Sequence, residues 1–134
     1  MNLFARKHMG WVLMRLGQMR EAIGHFQQAI EIQDDDPWVL NDLAWILATD
    51  KDVQIRDGAQ AVELAESAGR LLGYKFARNF ITLAAAKAEV GQFGLAVENG
   101  RKALDLANGN GNTVLANEIE NHLESYEARR PWRE

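Results

Sequence analysis

Residues 82–108 read TLAAAKAEVGQFGLAVENGRKALDLAN, a string in which two helices and the turn between them can be picked out directly. Leu83-Ala84 sets an apolar and a small residue side by side on a first helix, and Gly91-Gln92-Phe93 interrupts it. Ala96, Gly100, Ala103 and Leu106 then recur at the spacing of a single helical face. Gly91 falls just past the first helical run, where a left-handed cap is easiest for a residue without a Cβ. The same register appears earlier as Met9-Gly10, the turn Gly17-Gln18-Met19, then Ala22, Phe26, Ala29 and Ile32. It appears again as Leu43-Ala44 followed by Ala61, Ala65, Ala68 and Leu71. Short side chains at such points let antiparallel helices approach closely while larger neighbours fill the remaining space. The chain therefore reads as repeated helical hairpins over about residues 3–36, 37–73 and 75–108.

Other boundaries carry their own signals. Asp36-Pro37 predicts a helix start, because Asp accepts from free backbone N–H groups and Pro is tolerated in a first turn. Thr49 to Asp57 is longer than a hairpin turn and polar, which predicts a surface loop that does not reach the core. Asp57 with Gln60 three residues on looks like a capping box and places the next helix from there to about Leu72. Asn108-Gly109-Asn110-Gly111-Asn112 breaks the pattern. Leu115, Ile119, Leu123 and Tyr126 then mark one amphipathic capping helix over about 112–128, as expected where the last hairpin of a stack must cover an apolar face. The tail 129–134, with Arg129, Arg130, Pro131, Trp132 and Arg133, reads as a charged chain end without a role.

Met9-Gly10 with Gly17, Glu21-Ala22, Phe26 and Ala29, and Leu83-Ala84 with Gly91, Phe93, Ala96 and Ala103, resemble the tetratricopeptide repeat family, in particular the C-terminal repeats of a bacterial member. The resemblance covers about residues 3–108. The Trp usual early in the first helix falls on Arg6, Leu40 and Phe80, and the Pro usual at the repeat end on Asp34, Gly73 and Asn108. The fold it implies is all-α: an α-α superhelix, or solenoid, of three such hairpins plus the capping helix, as one domain over residues 1–134.

Composition agrees with the helical reading and narrows the function. Hydrophobic residues make up 47% of the 134 and charged ones 25%, enough apolar surface for a core. Only Pro37 and Pro131 occur, and β-branched residues never alternate, so strands have little support. A net charge of -4 offers no general attraction to phosphate backbones, which argues against nucleic acid as a partner. Cysteine is absent, so disulfides and thiolate metal sites are excluded. Arg6, Lys7, His8 and Arg15 interrupt any span or signal core near the start, so membrane insertion is not expected; the cytoplasm is the default compartment.

No catalytic or metal-binding residues and no cofactor are expected. His8, His25 and His122 lie on different repeats and form no ligand pair. No phosphate-binding or nucleophile motif is present, and Asp34 to Asp36 lacks the alternating donors and mid-loop glycine of a calcium loop. The chain reads as no enzyme. The resemblance instead implies a groove lined by the first helix of each hairpin. It puts Phe4, Lys7, His8, Trp11, Met14 and Arg15 on that face from the first hairpin, Trp38, Asn41, Asp42 and Trp45 from the second, and Arg78, Thr82, Ala85 and Glu89 from the third.

A groove rich in tryptophan suits a protein or peptide partner, because Trp joins a large apolar area to one hydrogen-bond donor. The residues expected to hold it are Lys7, Trp11, Arg15, Trp38, Asn41, Asp42, Trp45 and Arg78. Some relatives clamp a terminal carboxylate with Lys and Asn on the first two repeats and Lys and Arg on the third, a set matched here only by Lys7 and Arg78. Trp11, Asp42 and Thr82 break that pattern, and an apolar or aromatic partner segment with some basic character suits the face better. Two alternatives stand beside this adaptor: a regulatory or targeting module of a larger bacterial enzyme, such as a glycosyltransferase or kinase, and a homo-oligomer that pairs through its open N-terminal hairpin.

Overall fold

The structure, a computed structural model, describes residues 1–134 as seven α-helices with no strand. They are α1 (Leu3–Arg15), α2 (Met19–Ile32), α3 (Pro37–Thr49), α4 (Gly58–Leu72), α5 (Ala77–Glu89), α6 (Phe93–Gly109) and α7 (Thr113–Glu127). Local chemistry sets their ends. Asp36 accepts from the N–H groups of Trp38 and Val39 at 3.0 and 3.3 Å, and Pro37 follows in the first turn of α3. Asp57 accepts from Gln60 N–H at 3.1 Å to open α4, and Asn112 accepts from Leu115 N–H at 3.1 Å to open α7. Gly17 and Gly91 carry φ of +78° and +83°, the left-handed turn expected after α1 and α5.

Helices pack chiefly on their neighbours along the chain: α1 on α2, α3 on α4, α5 on α6 and α6 on α7, with α2 on α3 and α4 on α5 joining successive pairs. α3 also lies against α5, two helices away. The small residues sit where the rods meet, since Ala22, Ala29, Ala61, Ala65, Ala68, Ala96 and Ala103 are all fully buried. Gly10 of α1 faces the ring of Phe26, which is itself fully buried. Removing a side chain of that size from water contributes about 1.5–3 kcal/mol. The main core runs from Leu13 and Phe26 through Val39, Leu43 and Leu47 to Ile119 and Leu123.

Two expectations need correction. The segment expected at Thr49 to Asp57 does reach inward: Thr49 is the buried last residue of α3, Ile55 packs against the core, and Arg56 donates to the carbonyls of Asp50 and Lys51 at 2.8 and 3.1 Å. An apolar side chain and a guanidinium that satisfies loop carbonyls pin the loop to the helices at Ile55 and Arg56, while Lys51, Val53, Gln54 and Asp57 stay exposed. The tail also has a place. Arg129 adopts φ of +59°, a turn that ends α7, and the residues after it fold back over the molecule. At the other end, α1 and the residue that caps it leave Phe4, Val12 and Leu16 exposed, at 69%, 51% and 65%. No helix is long and apolar enough to cross a membrane.

Candidate functional site

Two adjoining hollows of about 470 and 590 Å³ open on the face built by the odd-numbered helices and the tail. The first is lined from α3 by Asn41, Asp42 and Trp45, from α5 by Arg78, Ile81 and Thr82, from α7 by Leu115, Glu118 and His122, and from the tail by Trp132 and Glu134. The second lies toward α1 and adds Trp11, Arg15 and Met19. Met14, Asp42, Trp45, Arg78 and Glu134 border both. Within this face α3 and α5 lie directly against each other.

Asp42 is the hub. It is 3% exposed, and a carboxylate so far from water is costly unless donors surround it. One guanidinium nitrogen of Arg78 donates to both of its oxygens at 2.7 Å, and the indole Nε1 of Trp11 donates to Oδ2 at 2.9 Å. Beneath it the amide of Asn79 donates to Asn41 Oδ1 and to the carbonyl of Ala65, both at 3.2 Å. This ladder joins α1, α3, α4 and α5 below the floor of the hollows. Arg78, exposed on its outer side, lies over the ring of Trp38 at 4.8 Å.

The tail closes one end. Trp132 lies tilted at 49° against His122 with ring centroids 4.3 Å apart, His122 in turn lies 5.9 Å from Trp45, and Trp132 packs on the small cluster of Ala84, Ala88, Ala96 and Tyr126. Arg133 meets Glu89 at 2.6 Å, and Glu89 also binds Arg56 from the middle loop at 3.2 Å. The backbone N–H of Glu134 donates to the carbonyl of Thr49 at 2.9 Å, at the end of α3. Burial holds the His122 imidazole below its usual value, against an opposing pull from Glu134. Burial likewise pushes the Tyr126 phenol well above its usual range, with Glu134 adding to it.

Of the residues expected from the sequence, the structure brings Trp11, Arg15, Asn41, Asp42, Trp45 and Arg78 to the hollows. Asn41 is 1% exposed and serves the buried ladder more than the surface. Lys7 and Trp38 stand apart from the hollows: Lys7 pairs with Asp36 at 2.6 Å at the start of α3, and Trp38 packs on Phe76 at 5.5 Å. Phe4 and His8 stack on each other at 4.0 Å and line neither hollow, although His8 lies edge-on to Trp11 at 5.7 Å, while Ala85 is buried.

Missing from the sequence reading were His122, Trp132 and Glu134. A single tryptophan in an otherwise charged tail was the signal available for them. Nowhere do three His, Asp or Glu side chains come together in a way that could hold a metal ion. The face can accept an elongated group with apolar patches against Trp11, Met14 and Trp45 and polar groups against Arg15, Arg78 and Glu118. Comparison with protein-family models finds no match, and comparison with curated proteins finds none either.

Proposed function

We propose that the chain is a short superhelix of three tetratricopeptide-like hairpins with a capping helix, and that its inner face binds a segment of a protein partner without catalysis. The observation that carries this reading is the open, tryptophan-bordered pair of hollows lined by α1, α3, α5 and α7. Supporting it are the side-by-side placement of α3 and α5 and the fully buried alanines at the helix crossings. Half-buried Trp11 and Trp45 are the anchors, since a few large apolar side chains carry most of the energy of such contacts.

The test uses protein captured by the wild-type chain from its source cell and then titrated. Trp11→Ala together with Trp45→Ala is expected to weaken that binding at least about tenfold while far-UV helicity persists. Unchanged affinity would move the site to the opposite face. A second reading is favoured by the exposed Phe4, Val12 and Leu16 on α1 and its C-cap: a second copy of the chain covers them.

A further inference from the structure

We propose that the seat under residues 130–134 is part of the binding groove, occupied here by the chain's own tail, and that the partner's segment is an extended peptide bearing an aromatic residue followed by a basic one. This rests on the groove reading above and adds both the ligand's chemistry and the means of its control. The tail shows what the seat accepts. An indole lies against His122 and the cluster of Ala84, Ala88, Ala96 and Tyr126, a guanidinium meets the carboxylate of Glu89, and a backbone N–H reaches the carbonyl of Thr49. The segment that makes these contacts is non-helical and holds on through one backbone N–H and two neighbouring side chains, Trp132 and Arg133, groups that a separate peptide could supply equally.

Its grip is light for an element of the fold. Beyond the turn that ends α7, the only backbone hydrogen bond joining it to another element is the one from Glu134 to Thr49. Trp132 and Arg133 are half-buried, and Glu134 is exposed while bordering both hollows. Detaching the strap breaks no helix and merges its seat with the open part of the groove. A tethered segment presents itself at an effective concentration on the order of 1 mM. A seat that binds the free peptide with a Kd of about 100 μM would therefore be closed roughly tenfold against a competitor.

A fluorescein-labelled peptide of residues 128–134, ARRPWRE, is titrated by anisotropy into two full chains, the wild type and Trp132→Ala/Arg133→Ala. Binding at least about tenfold tighter to the variant is expected, because its own tail no longer fills the seat. Peptides carrying Trp132→Ala or Arg133→Glu should lose that binding. Equal affinity for both chains, no binding to a variant that keeps wild-type helicity, or indifference to the peptide substitutions would each overturn the proposal. If the double variant loses helicity, Arg133→Glu in the chain, which leaves the indole in place, serves instead with the same expected order. Should the peptide fail while Trp11→Ala/Trp45→Ala still weakens the captured partner, only the strap falls. Should the peptide bind as expected while those variants leave the partner unaffected, the Trp11–Trp45 groove reading falls and the strap stands.

Discussion

A methyl group at position 10 would stand 2.5 Å from a ring carbon of Phe26, closer than any real side-chain contact, and the ring is fully enclosed. Gly10→Ala is therefore expected to destabilise the chain by about 1–3 kcal/mol, read from the midpoint of urea unfolding. Gly24, in the middle of α2, has nothing within 4 Å of the same methyl position. Gly24→Ala should thus move the midpoint the other way, by about 0.5–1 kcal/mol, through the lower entropy of the unfolded chain. Equal shifts in both variants would show that the α1–α2 crossing is looser than the contact implies. The difference between the two glycines is invisible in composition, because both lie within helical stretches and only the facing ring separates them.

At the scale of an element, α3 has the most to lose at its start. Burial pushes the Asp36 carboxyl upward, but the Lys7 ammonium and the N–H groups of Val39 and Trp38 outweigh it and hold the group below its usual 3.8. A lowered folded value means that this contribution is complete above the unfolded value near 3.8 and is lost as pH falls through the folded one. Asp36→Ala is expected to cost about 1 kcal/mol at neutral pH in thermal or urea unfolding. The gap between variant and wild type should close as pH drops below the usual carboxylate range. A gap that persisted at low pH would mean that the cap acts through something other than its charge. Lys7, expected from the sequence to face a partner, has this element-level task through its pairing with Asp36.

For the whole molecule, the exposed apolar residues of α1 and its C-cap lie at an end where no other helix covers them. If a second copy does so, the mass in sedimentation equilibrium should rise with concentration, and Phe4→Glu with Leu16→Glu should weaken that association at least about tenfold. A monomer at high concentration would dismiss the second reading and leave the peptide groove untouched. The two faces are separable because none of these residues lines the hollows.

The helices, their starts and their order were legible in the amino acids because these depend on neighbours three or four positions away: a capping carboxylate, a turn glycine, an alanine at each close crossing. Trp11, Asp42, Trp45 and Arg78 are put on one face only through the resemblance to the repeat family, since they lie on three different helices. Folding alone decided that Asp42 would take both Trp11 and Arg78 as partners, residues 31 and 36 positions away, making it part of the floor instead of a free contact. It also decided that Arg133 would cross to Glu89, 44 positions back, and set Trp132 over His122. Pairings over such distances follow from which surfaces the packed helices leave bare, and no local pattern in the chain records that.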